Sequence, residues 1–136
     1  MPMRGQAGVT SGFVEAEDVQ TTSATFVDIT DLSLTLTLYS PGRIAAVMAV
    51  ECSASAVATG EWAIELDDGA GSTVDEGAKA RYLSGSNDTG VIAVVARSPK
   101  LGPGTYTVKG RHRRVSGGGT ISSDDCSLLA FQTTQE

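Results

Sequence analysis

Leucine alternates with a hydroxyl-bearing residue over eight consecutive positions, from Leu32 to Tyr39. A period of two places every leucine on one side of an extended strand, whereas a helix would spread the same leucines around its whole circumference. The turn sequence Ser40-Pro41-Gly42 follows at once, and its proline and glycine both suit a tight turn. The segment therefore predicts a β-strand with one face on an apolar core and the other in water, ended by a hairpin turn.

The next segment, Arg43 to Cys52, is almost continuously apolar and admits two interpretations. Its alanines and methionine favour a helix, but its short length and the preceding turn favour a buried central strand. Further along, Trp62, Ile64 and Leu66 alternate with acidic residues, which predicts a strand with one dry and one wet face. Other strands are predicted near residues 79–84, 90–96, 105–115 and 126–132.

These eight or nine strands, with turns between them and no convincing helix, predict an all-β fold: an antiparallel, jelly-roll-like β-sandwich. The 136 residues suffice for one domain. We expect a partly flexible N-terminal arm over residues 1–23, with one short strand near residues 8–14, and the β-sandwich domain over residues 24–136. An immunoglobulin-type sandwich is disfavoured, because Asp124 stands where a tyrosine should precede Cys126.

The charge balance restricts the choice of partners. The chain carries 10 basic and 16 acidic residues, a net charge of -6, so we expect it to bind neither nucleic acid nor a membrane surface, since both are polyanionic. No apolar run is long enough to span a bilayer, and the N-terminus lacks the apolar stretch of a secretory signal. Cys52 and Cys126 are therefore interpreted as reduced thiols in the core, with a disulfide as the alternative.

Residue His112 is the only imidazole and lies within the basic segment Lys109 to Arg114. Catalysis by this histidine would require a nucleophile and an orienting carboxylate from other strands, and no local nucleophile motif is present. Neighbouring arginines would also lower the pKa of the imidazole. We therefore expect His112 to serve packing, hydrogen bonding or an interface, and expect no enzymatic activity.

Acidic residues could supply two other kinds of site, and both are disfavoured. A pair of carboxylates for glycoside hydrolysis could come from residues Glu61, Glu65, Asp67 and Asp68. Acids that alternate along a strand more often form a solvated face, or pair across strands with cations, here Lys109, Arg111 or Arg113. Neither Asp67-Asp68-Gly69 nor Asp124-Asp125 has the spacing of a calcium-binding loop, although a structural calcium ion held by several loops stays open. We expect no cofactor and no metal.

The basic segment is the most unusual local feature of an otherwise acidic chain. In a strand, Lys109, Arg111 and Arg113 share one face, while His112 and Arg114 share the other. Exposed aromatic residues, which a nucleic-acid site would interleave with such cations, are absent from this segment. We predict that Lys109, Arg111 and Arg113 form an assembly contact with an acidic surface of another copy or of a larger particle.

Two segments carry a family resemblance. One runs from Thr25 to Ile29 and continues through Asp31-Leu32 into the alternating strand; the other runs from Leu101 to Val108 into the basic strand and a glycine-rich hairpin. Together they resemble the small all-β virion proteins of tailed phages, namely capsid decoration proteins and the domains of tail fibres or tail tips. The likeness covers about residues 22–131.

The resemblance implies a non-enzymatic virion structural protein, made in the host cytoplasm, that assembles as a homotrimer and binds capsid or tail proteins. Within this class, a capsid decoration or stabilising protein is favoured, because the chain shows neither a long fibrous shaft nor a coiled-coil heptad. The alternative is a tail fibre module that binds a carbohydrate or a receptor. Such a site usually stacks sugars on exposed aromatic rings, for which Tyr39 and Tyr82 are the candidates.

Overall fold

The computed structural model describes residues 11–75, 79–84 and 89–133, and these residues form two antiparallel sheets. They contain nine strands and no helix, which confirms the predicted all-β sandwich. The strands are β1 (Ser11–Thr21), β2 (Val27–Leu38), β3 (Arg43–Ala54), β4 (Ala58–Asp67), β5 (Thr73–Asp75), β6 (Lys79–Ser84), β7 (Thr89–Arg97), β8 (Gly104–Gly117) and β9 (Ile121–Thr133).

The order of the strands is that of a jelly roll. One sheet has the order β1-β9-β3-β7, and the other has the order β2-β8-β4-β5, with β6 also paired to β4. Strands distant in the chain are therefore neighbours in each sheet, and the two sheets face each other across one core. This leaves each sheet with one inner face and one outer face.

The alternating leucines lie where the sequence predicts. Leu32, Leu34, Leu36 and Leu38 are all buried between the sheets, and the residues between them point outward. The imidazole of His112 and the indole of Trp62 extend the core from the neighbouring strands β8 and β4. The two-residue period thus sets which side of β2 faces the core.

Strand β3 differs from the buried central strand that its sequence indicates. It does lie between β9 and β7, and its even-numbered residues from Ile44 to Cys52 are buried. Its odd-numbered residues point out of the sandwich, where Val47 is 37% exposed. The continuous apolar pattern therefore reflects a strand whose inner face is buried while its outer face is apolar and uncovered.

The boundary of the predicted N-terminal arm is wrong in the part of the chain that the structure describes. Strand β1 runs from Ser11 to Thr21 and pairs with β9 along its length, so the sandwich begins at residue 11 instead of residue 24. The inward residues Val14, Ala16 and Val19 give only a weak apolar pattern, because the two-residue alternation shifts by one position at Asp18, which has a positive φ of 56°. Residues 1–10 lie outside the described residues.

Candidate functional site

The predicted basic cluster lies on the outer face of the five-stranded sheet, where it takes part in two groups of ion pairs that we together name the ion-pair network. In the first group, Glu61 accepts hydrogen bonds from two arginines. The Arg113 guanidinium donates from Nε and Nη2 to Oε1 at 2.8 and 2.5 Å, and Arg81 Nε donates to Oε2 at 3.0 Å. Arg113 also lies 4.8 Å from the centroid of the Phe26 ring, within the range of a cation–π contact.

The second group of ion pairs links β8 to both of its neighbours. Lys109 Nζ lies 2.9 Å from Asp67 Oδ2 and 3.4 Å from Glu65 Oε2. Arg111 Nη1 donates to Glu65 Oε1 at 2.7 Å, and its Nε lies 3.0 Å from Asp28 Oδ1. The strand register places these residues side by side across β2, β8 and β4. The acidic side chains of β4 therefore pair with cations across strands instead of forming the predicted wet face.

The electrostatic environment of the network favours the charged forms of Glu61, Asp67 and Lys109. Burial alone raises the pKa of Glu61, but the hydrogen bonds from Arg81 and Arg113 outweigh it and hold that pKa below its usual value. Burial also raises the pKa of Asp67, but hydrogen bonding to Lys109 and Glu65 outweighs burial, so that this pKa is lowered. The hydrogen bond to Asp67 raises the pKa of Lys109. These pKa values move away from what a general acid near neutral pH needs, since that role requires a raised carboxyl pKa.

Residue His112 lies on the opposite, inward face of β8. Its ring is fully buried, and its Nδ1 lies 2.8 Å from Ser123 Oγ, which also accepts a hydrogen bond from Trp62 Nε1 at 2.8 Å. Within the described residues, its Nε2 has no hydrogen-bond partner. Burial lowers the pKa of His112 to about 4, so the cause is desolvation and not the neighbouring arginines that the sequence suggests. This geometry links two buried side chains through a hydroxyl and gives the imidazole no access to a substrate.

Both cysteines are free and buried, which confirms the interpretation as core thiols. Cys126 Sγ donates to the carbonyl of Ala16 at 3.3 Å. Burial raises the pKa of each thiol to about 11. The thiolate, which is the reactive form, is therefore scarce at neutral pH.

The acidic pairs considered as metal ligands serve local structure. Asp68 Oδ1 accepts hydrogen bonds from the backbone N–H groups of Ala70 and Ser72, each at 2.9 Å, and so organises the turn that follows β4. Asp124 accepts from Ser122 Oγ at 2.5 Å. Among the described residues, no group of three or more histidines, cysteines and acids is placed to hold a metal ion. The same residues include no helix long and apolar enough to cross a membrane.

A second surface, which the sequence does not predict, lies on the outer face of the four-stranded sheet. The register aligns Phe13, Leu129, Val47 and Val95 in one line across β1, β9, β3 and β7. These side chains are 57%, 41%, 37% and 66% exposed, respectively. We name this line the apolar row. The apolar row crosses all four strands of the sheet, and Phe131 on β9, which lies beside the row, is also exposed and enlarges the apolar patch.

The same face becomes acidic toward its other end. Three carboxylates lie side by side on β1, β9 and β3, each at a distance of four positions along its strand from the apolar row: Glu17, Asp125 and Glu51. All three are exposed. We name this line the acidic row. Like charges directly opposite each other destabilise a sheet, so the arrangement favours contact with a surface that is not itself acidic.

The fold is similar to that of an Eiger TNF protein and to that of a complement 1qA domain. The chain matches the Eiger TNF structure from S. frugiperda over 96% of both chains, with a TM-score of 0.60 and 9% identity. It matches the globular domain of the zebrafish complement 1qA protein over 94% of this chain and 99% of that one, with a TM-score of 0.56 and 12% identity. These likenesses show a shared fold.

A protein of a viral particle also shares the fold. The chain matches the infectious bursal disease virus VP2 subviral particle with a TM-score of 0.57 and 9% identity, over 94% of this chain. The matched region spans 34% of the VP2 chain, so this protein corresponds in fold to about a third of VP2. No protein-family model and no curated protein sequence matches the chain.

Proposed function

We propose that this chain is a non-enzymatic structural protein of a virion, a homotrimer that binds the surface of a tailed-phage particle as a capsid decoration or stabilising protein. The observation that carries the proposal is the apolar row, which crosses all four strands of one outer face and which no described part of the chain covers. A contiguous exposed apolar patch on a soluble domain marks a surface that another protein covers.

The physical advantage of assembly follows from the exposure of that face. Burial of apolar surface contributes roughly 25 cal/mol per Å², so covering two phenylalanines, a leucine and several valines favours association. A closed ring of copies would bury the same face on every subunit without growing into open filaments. The likeness in fold to a domain of VP2, which forms a subviral particle, supports placing the chain in a virion.

The second outer face supports a structural role over a catalytic one. Its polar side chains pair with one another across three strands, and the pKa values of Glu61 and Asp67 are lowered, as in fixed ion pairs. Such a network stiffens a sheet, whereas catalysis by these carboxyls would need one of them protonated near neutral pH. The predicted assembly role of Lys109, Arg111 and Arg113 stays a prediction.

Two measurements test the proposal. Light scattering over a range of concentrations should give three times the 14.0 kDa mass of the chain, and a mass of one chain at every concentration would contradict the homotrimer. The protein should also co-sediment with particles of the virus that encodes it; if it is absent from purified particles, the virion role is wrong. Specific binding on a glycan array would instead favour the carbohydrate-binding alternative.

A further inference from the structure

The two halves of the four-stranded face differ in shape. The half formed by β1 and β9 presents large side chains, namely Phe13, Leu129 and Phe131. The half formed by β3 and β7 presents smaller ones, chiefly Val47 and Val95. Large side chains on one surface pack best against small ones on another, because protein interfaces approach the packing density of interiors.

The two halves also differ in charge. The outward residues of the β1–β9 half include the carboxylates Glu15, Glu17 and Asp125 and, within the described residues, no cation. The outward residues of the β3–β7 half include Arg43 and Arg97 and a single carboxylate, which is Glu51 of the acidic row. Over the described outward residues, the formal charges of the two halves therefore have opposite signs.

We propose that copies of this chain meet in a heterologous contact, in which the β1–β9 half of one subunit packs against the β3–β7 half of the next. The inference rests on the self-assembly in the proposed function and specifies how the copies contact each other. A contact between unlike halves repeats from subunit to subunit, so it closes into a ring when the rotation allows. Each copy then uses the whole face, half toward each neighbour.

The rows of the register show why unlike halves fit better than like halves. If the symmetry axis runs along the strands, residues at the same position along the strands of two copies meet. Glu17 at the β1 edge then faces the uncharged Val91 at the β7 edge, and one pair of carboxylates, Asp125 and Glu51, is brought together. Contact between two β1–β9 halves would instead bring together three such pairs, because Glu15, Glu17 and Asp125 would each meet their own copies, and like-charge juxtaposition disfavours that arrangement more strongly.

The decisive experiment uses two single substitutions at opposite ends of the apolar row. Phe13 and Val95 are separated by three strand spacings, about 14 Å, and both are more than half exposed, so Phe13→Lys and Val95→Lys each damage one half only. Each variant alone should sediment as one chain. An equimolar mixture should give a species of two chain masses, because the intact β1–β9 half of one variant can bind the intact β3–β7 half of the other.

The controls separate the possible outcomes. Thr35→Lys, an exposed position of β2 on the other sheet, should leave the wild-type mass unchanged, and far-UV circular dichroism should match for all variants. If Phe13→Lys does not fold, Leu129→Lys replaces it. A mixture that stays at one chain mass, or variants that assemble like the wild type, would overturn this pairing of the two halves while the trimer stands. A wild type of one chain mass would overturn the proposed assembly and this contact together.

Discussion

At the scale of single residues, the buried imidazole of His112 makes stability depend on pH. Burial lowers its pKa from 6.5 to about 4, so in acid the unfolded chain binds a proton that the folded chain excludes. The contribution of this group to stability is therefore complete above pH 6.5 and is lost as the pH falls toward 4. When the pH falls from 7 to 5, we expect the titration of this group to lower the free energy of unfolding by about 2 kcal/mol.

The measurement is urea unfolding of the wild type and of His112→Asn at the two pH values. Between the two pH values, the free energy of unfolding should fall by about 2 kcal/mol more for the wild type than for the variant. The effect of other acid-sensitive groups, including Glu61 and Asp67, cancels in this comparison because both proteins contain them. An equal loss in the two proteins would show that the imidazole does not titrate in this way.

The ion-pair network allows a matched comparison of two arginines that share one carboxylate. Arg113 donates twice to Glu61 and is 28% exposed in its side chain, whereas Arg81 donates once and is 57% exposed. We expect Arg113→Ala to lower the free energy of unfolding by about 1–2 kcal/mol and Arg81→Ala by less than about 1 kcal/mol. Equal effects in chemical denaturation would contradict the assigned geometry.

The same variants bear on the predicted assembly contact of the basic cluster. Substitution of Arg111 and Arg113 by glutamate would place new carboxylates beside Glu65 and Glu61, so any loss of assembly would be mixed with a loss of stability. Arg113→Ala avoids the new repulsion. The mass of the assembly that this variant forms should fall in light scattering if the cluster contacts another copy. The mass should stay at that of the wild type if the cluster acts only within the chain.

At the scale of elements, the hairpin between β8 and β9 depends on the backbone of Gly117. This residue has a φ of +93°, and an added Cβ would collide with the carbonyl oxygen of Val57 and the backbone of Ala58. We expect Gly117→Ala to destabilise the fold by about 1–3 kcal/mol. The control is Gly118→Ala, where the new Cβ would meet only Ala56 at 3.9 Å, and thermal unfolding should leave it near the wild type. Similar melting temperatures for both variants would contradict the strained hairpin.

The elements also show what the sequence can and cannot predict. The alternation from Leu32 to Leu38 predicts β2 correctly because one side of the strand must avoid water. The apolar row cannot be predicted from local pattern, because Phe13, Leu129 and Val95 are far apart in the chain and only the register brings them into line. For the same reason, the sequence suggests pairing between the acids of β4 and the cations of β8 but does not say which acid pairs with which cation.

At the scale of the whole molecule, the jelly roll separates two kinds of outer surface. The five-stranded sheet carries a face whose charged side chains form ion pairs within the chain, and the four-stranded sheet carries a face that is apolar at one end and acidic at the other. A single core supports both, so one face can stiffen the subunit while the other is available to neighbouring copies. The proposed trimer is an expectation about that second face.

The mass of the assembled protein tests this account most directly. Sedimentation equilibrium of the wild type beside Leu129→Lys, a change at the centre of the apolar row, should give three chains for the first and one chain of 14.0 kDa for the second. A single-chain mass for both proteins at every concentration, or three chains for both, would contradict the claim that this face holds the copies together.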